Sequence, residues 1–178
     1  VVAINLLVNL NQIKGSAVYV SKNAAPRNVY SKKLKGSYKT DYISKLFMGS
    51  GAFVNEPKNI FDSIIVDEAH RLKEKSGLYG NKGENQIKEA INASKFSIFF
   101  LDEYQRIDIK DIGSKEEIRK HAKKLGAKIY EGKLESQFRC GGSDGYLEWL
   151  DDVLEIHDSA NFDGFDLNYD IKIFNDPN

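Results

Sequence analysis

Ile64-Ile65-Val66-Asp67-Glu68-Ala69-His70-Arg71 begins as an unalternated, β-branched apolar run and ends abruptly in two carboxylates. An apolar run of this length without alternation reads as a strand covered on both faces, the habit of a parallel sheet. Phe96 to Leu101 repeats the pattern and leads into Asp102-Glu103-Tyr104-Gln105-Arg106. Helical patterns lie between and beyond these strands. Glu84 to Ala93 carries Ile87 and Ile91 at i, i+4 spacing, and Ser114 can cap a helix to Leu125 with Glu117 completing a capping box. Strands alternating with helices predict an α/β domain with a doubly wound parallel sheet.

The flanking segments extend this plan. Val1 to Ile13 reads as a helix buried on most sides, with Asn5, Asn9 and Gln12 as its polar stripe. Ala17 to Val20 reads as a short buried strand, and Ala24 to Leu34 as a helix with Pro26 in its first turn. Asp41 to Phe47 is a short helix, Ala127 to Tyr130 a strand, Tyr146 to Ile156 an amphipathic helix and Ile171 to Phe174 a late strand. Lys73 to Gly83 is polar and glycine-containing, and reads as a mobile surface connection.

Composition narrows the setting. A chain of 178 residues can bury one good core, and its apolar and charged fractions are those of an ordinary soluble domain. The single Cys140 excludes an internal disulfide, and His70, His121 and His157 share no zinc-like spacing with it. A reducing, cytoplasmic location is expected. Val1 to Leu10 is too short to span a bilayer and is broken by Asn5 and Asn9, so no membrane partner is expected. Formal charge is zero but unevenly spread. Lys22, Arg27, Lys32, Lys33, Lys35, Lys39 and Lys45 make the early region basic, whereas Asp151, Asp152, Glu155, Asp158, Asp163 and Asp166 make the end acidic. The basic stretch suits either a solvated helix face or a track for nucleic-acid phosphates.

Ligands of open α/β sheets bind beyond the carboxyl ends of the strands, where both acidic pairs emerge. Nucleotide hydrolysis is one economical use of an apolar strand followed by Asp-Glu. The Asp then holds Mg²⁺ and the Glu orients or activates water. A pair of solvated acids is the alternative on these residues alone.

The string from Ile64 to Arg71 resembles the Walker B motif of helicases, down to the letters DEAH. Leu101-Asp102-Glu103-Tyr104-Gln105-Arg106 is similar to superfamily 1 motif III, Leu134 to Cys140 resembles motif IV, and Val18 to Ala25 resembles motif Ia. Together they resemble the Schlafen group 3-like DNA/RNA helicase family, a bacterial relative of superfamily 1 helicases, over the whole chain. That resemblance implies a RecA-like P-loop NTPase fold, with Mg²⁺ and ATP as cofactors and single-stranded DNA or RNA as partner. It assigns Asp67 to Mg²⁺, Glu68 to the attacking water, Gln105 to the γ-phosphate, and Arg139 to transition-state charge once a second RecA-like domain of the same protein closes. Ser21, Lys22, Asn23 and Arg27 are its nucleic-acid contacts.

The family pattern also implies a Gly-x-x-x-x-Gly-Lys-[Ser/Thr] phosphate loop before the first helix, and none occurs here: Gly77, Gly80 and Gly83 have the wrong spacing. The expectation is a domain lacking the first strand and the P-loop. Residues 1–157 would be the incomplete motor and 158–178 an acidic connector. Two other functions fit the residues. One is a metal-dependent nuclease in which Asp67, Glu68, Asp102 and Glu103 gather two metal ions, and the other is a non-catalytic interaction module.

Overall fold

A computed structural model describes residues 2–13, 15–36, 38–134, 152 and 154–156. The chain divides into two compact units, Val1–Ile129 and Tyr130–Asn178. The named helices and strands of the described residues all lie in the first unit.

Four strands form that unit's sheet: β1 (Ala17–Ser21), β2 (Phe47–Met48), β3 (Phe61–Asp67) and β4 (Ser94–Phe99). Their order is β2-β1-β3-β4, and every pairing is parallel. Register follows from which side chains can share a face. Val18 lies beside Ile64 and Val20 beside Val66, and these four sit in one core with Ile87, Ala90 and Ile91 of helix α4 (Gln86–Ala93) and Ala122 of helix α5 (Lys115–Lys124). The alternate residues Ala17, Tyr19 and Ile65 face the other way and pack on Ala3 and Leu7 of helix α1 (Val2–Gln12). A slip of one residue would exchange the two cores, so burial on both faces specifies the register. Helices on both faces make the sheet doubly wound, as the alternation of patterns predicts. Each fully buried aliphatic, such as Ile64 or Ile65, contributes roughly 1.5–3 kcal/mol.

Two more helices complete the unit, α2 (Ala24–Leu34) and α3 (Thr40–Leu46). The Asn23 side chain caps α2 by accepting from Ala25 N–H, and Asn85 caps α4 by accepting from Ile87 and Lys88 N–H, each cap contributing about 1 kcal/mol. Ser114 caps α5 by accepting from Glu117 N–H. The Glu117 carboxylate turns to Lys120 and His121.

Four expectations are corrected. Helix α1 buries only Ala3 and Leu7, leaving Val2 and Val8 about half exposed, because among the described residues it packs chiefly on one sheet face. β4 begins at Ser94, directly on the end of α4, and among the described residues it is an edge strand with Phe96 52% exposed rather than covered on both faces. Phe47 leaves the helix before it to pair with Tyr19 in β2. Residues 127–130 form no strand. The predicted strand Ile171 to Phe174 and most of the helix Tyr146 to Ile156 lie outside the described residues, as do Cys140 and the acidic end apart from Asp152 and Glu155. Among the described residues no helix is long and apolar enough to cross a membrane.

Candidate functional site at the carboxyl edge of the sheet

β1 and β3 end level with each other, Ser21 beside Asp67, so both strands deliver their last residues to the same edge. Asp67 is held by two donors. The Tyr19 hydroxyl donates to Oδ2 at 2.7 Å from the neighbouring strand, and the Glu68 N–H donates to Oδ1 at 3.1 Å. Tyr19 is itself buried among Tyr30 and Phe47, and burial first, then the bond to Asp67, pushes its phenol well above the ordinary range. A phenol kept protonated is a permanent donor, which fixes one face of the Asp67 carboxylate.

Glu68 follows in the left-handed region, at φ 52° and ψ 47°. For a residue with a Cβ this conformation costs roughly 1–2 kcal/mol, and such strain persists only where surrounding bonds over-determine it. Those bonds are present. Ala69 N–H donates to Phe100 O at 2.8 Å, and Arg71 N–H donates to Glu68 O at 2.9 Å within a short 3₁₀ turn, Ala69–Arg71. Both Asp67 and Glu68 remain partly accessible to solvent.

The second acidic strand end is stitched to the first. Phe100 N–H donates to Val66 O at 2.9 Å, and Asp102 N–H donates to the buried His70 imidazole at Nδ1, 3.3 Å away. His70 therefore serves as an acceptor that ties the two strand ends together. Asp102 accepts from Tyr104 N–H at 3.1 Å and from the Gln105 side-chain amide at 2.8 Å, which holds Gln105 at the exit of β4. Glu103 accepts from Lys115 N–H at 3.0 Å and so stabilises the start of α5.

These partners bear on metal binding. A carboxylate has about four acceptor directions, and Asp67 has two engaged, so it has capacity left for a hydrated Mg²⁺. The Ser21 hydroxyl, on the residue aligned with Asp67, is buried with no hydrogen-bond partner among the described residues. Both observations fit a cation at this edge. A two-metal nuclease site is a different matter. Among the described residues no three acidic, histidine or cysteine side chains converge as metal ligands.

The four residues expected to meet nucleic acid have unequal positions. Ser21 is wholly buried. Lys22 turns its ammonium toward Asp111 at 3.4 Å, Asn23 is exposed, and Arg27 is half-buried with its guanidinium against Gly49. Helix α2 has no buried residue, which leaves its lysines at the surface. Arg139 lies outside the described residues.

Sequence reasoning missed the ionic cluster beside this edge. Asp111 is wholly buried and accepts from Arg71 Nε at 3.0 Å, from Asp108 N–H at 3.2 Å and from Lys22. Lys73 pairs with Asp108 at 2.7 Å, and Arg106 donates to the Asp111 carbonyl. Burial and the neighbouring Lys73 ammonium lower the Lys22 pKa, against the opposing pull of Asp111. Loop 106–113 lies flush on the β3 exit, since a Cβ on Gly113 would overlap the Ala69 carbonyl. The alternation of charged and aliphatic residues from Arg106 to Asp111 was the available signal. Tyr19 gave none, because its bond to Asp67 spans 48 residues.

No curated protein and no solved structure matches the chain. The family model described as Schlafen group 3, DNA/RNA helicase domain, matches residues 1–178, and the chain belongs to that family.

Proposed function

We propose that this domain is part of an ATP-dependent superfamily 1-like helicase or translocase, which couples ATP hydrolysis to movement on single-stranded DNA or RNA. The observation that carries this reading is the exit of the interior strand β3. There Asp67 is fixed by Tyr19 and the strained Glu68 stands next to it, within a hydrogen-bonded network that reaches Asp102 and Gln105.

In this reading Asp67 would hold Mg²⁺, which when bound would neutralise charge on the nucleotide phosphates. Glu68 orients the attacking water and takes its proton on the carboxylate. Gln105 has one amide hydrogen engaged by Asp102, and its second hydrogen and its carbonyl oxygen are available to a γ-phosphate or to that water. Arg139 supplies positive charge from a separate segment when a second RecA-like domain closes, a contribution of about a thousandfold or more in comparable sites. Lys22, Asn23, Arg27 and the lysines of α2 face the nucleic-acid strand, with Ser21 supporting them from beneath.

The test is ATP hydrolysis by the full-length protein with and without single-stranded nucleic acid. Glu68→Gln is expected to lower kcat about a hundredfold or more while ATP binding survives. An unchanged kcat refutes the assignment, and a wild-type protein that never hydrolyses ATP favours the non-catalytic module. For the 178-residue chain, which contains no P-loop sequence, calorimetry is expected to show little ATP binding. Tight Mg-ATP binding by this chain overturns that expectation.

A further inference from the structure

Lys73 to Gly83 is a built hairpin rather than a featureless connection. Ser76 and Lys82 exchange both backbone bonds, at 2.8 and 3.0 Å, and Gly80 N–H donates to Gly77 O at 3.1 Å to close a tight turn. The base is anchored. Ser76 is buried, its hydroxyl accepts from the Gln86 side chain at 2.9 Å, and Gln86 also accepts from Lys73 N–H at 2.9 Å. Gly77 and Gly80, at φ +88° and +61°, supply the left-handed corners on either side of the tip.

Leu78 and Tyr79 occupy the two central positions of that turn, 90% and 86% exposed. Turn chemistry favours Pro, Asp, Asn, Ser or Gly there, and a hairpin tip gives an apolar side chain nothing to bury against. A single exposed leucine needs no explanation. Two adjacent apolar side chains held outward by a hydrogen-bonded turn break the local rule at both positions, and such breaks mark contact surfaces. Charge says which contact. Lys75 and Lys82 are exposed on either arm and make no ion pair among the described residues, and they outnumber Glu74, the exposed acid of the hairpin, while Glu84 at its end is taken by Lys88. A flat aromatic ring flanked by ammonium groups matches unstacked bases on a phosphate backbone.

We propose that the Leu78–Tyr79 tip stacks on bases of a single-stranded nucleic acid, with Lys75 and Lys82 on the adjoining phosphates. This rests on the reading of the domain as a nucleic-acid motor and gives that motor a contact outside Ser21, Lys22, Asn23 and Arg27. The hairpin springs from the same edge as Glu68, five residues beyond it, so the strand would pass close to the nucleotide site.

Fluorescence anisotropy at low salt with a labelled single-stranded oligothymidylate, and with an abasic strand of equal length, tests the contact. Loss of one aromatic stack corresponds to roughly 5- to 150-fold in affinity. Tyr79→Ala is expected to bind the intact strand about tenfold more weakly, Tyr79→Phe to bind it within about twofold of wild type, and wild type and Tyr79→Ala to bind the abasic strand alike. Wild-type binding that Tyr79→Ala leaves unchanged, or weakens equally on both strands, overturns the stacking contact alone. Wild-type binding to neither strand overturns it together with the nucleic-acid reading. A wild-type dimer that Tyr79→Ala dissolves in light scattering, with strand affinity unchanged, shows the tip to be a self-contact.

Discussion

Replacing Asp111 should destabilise the domain more than replacing any cation around it. The wholly buried carboxylate has three donors: Arg71 at 3.0 Å, the Asp108 N–H at 3.2 Å and Lys22 at 3.4 Å. A bond to a charged group contributes about 1.5–3 kcal/mol, and the Asp108 N–H counts at the low end of that range. Arg71 and Lys22 keep 31% and 28% of their side chains exposed, so after the substitution both can recover some hydration. Arg71 therefore counts at the low end of its range, and Lys22, at the longer distance, for a fraction of a kcal/mol. Asp111→Ala is expected to cost about 3 kcal/mol, below the upper part of the roughly 3–5 kcal/mol range for breaking a fully buried pair. At about 2–4 °C per kcal/mol for a chain of this size, Tm should fall by roughly 6–12 °C. Asp111→Asn keeps an acceptor for the Asp108 N–H and should cost about half as much. Lys22→Met should cost less than about 0.5 kcal/mol, because the ammonium is already opposed by burial and by Lys73. Urea and thermal unfolding followed by circular dichroism read all three variants. An Asp111→Ala variant within about 0.5 kcal/mol of wild type refutes the reasoning.

Three more perturbations probe the same edge. The Lys73 ammonium, then the Lys110 N–H, hold the half-exposed Asp108 carboxyl at about 2, below its ordinary 3.8, so its contribution is present above the ordinary value and fades as pH falls toward 2. Lys73→Met should return the Asp108 titration toward 3.8 in carboxyl-carbon NMR, and an unmoved titration rules the pairing out. Because the Tyr19 phenol stays protonated in the folded state, its contribution is complete below about pH 10 and declines as alkali ionises the unfolded chain. Tyr19→Phe should cost about 1–2 kcal/mol at neutral pH, a gap to wild type that narrows above about pH 10 in urea midpoints; a gap independent of pH would count against the buried donor. Gly113→Ala drives a methyl into the Ala69 carbonyl and should cost about 3 kcal/mol or more, with soluble yield and Tm as readouts. An unaltered Tm would mean that the loop does not lie flush on the strand exit.

Contacts that form within a few residues were legible in the sequence. The Ser114 cap needs only Glu117, and α2 runs over Ala24–Leu34 as Pro26 in its first turn indicates. The two-faced apolar run of β3 announced an interior parallel strand, and its exit gave Asp67 and Glu68. Failures came where tertiary position overrides composition. Val1 to Ile13 looks buried all round, but a helix buries only the face that its neighbours cover. Ser94 and Lys95 carry no strand signal, yet they pair with β3 because α4 delivers the chain straight into register with Phe61. The Asp111 cluster joins residues 40 and 89 positions apart, and no local pattern encodes a charge pair at such separation.

The stitching of the two strand exits has a consequence for exchange kinetics. The amides of Ala69 and Phe100 and the amide of Asp102 all donate across the gap between the two segments, to Phe100 O, Val66 O and His70 Nδ1. No one of these bonds can open widely without straining the other two. Their protons should therefore exchange with solvent through one shared opening, with a common free energy and a common dependence on denaturant. Amides of the exposed Leu78–Tyr79 turn should exchange through a separate and far cheaper opening.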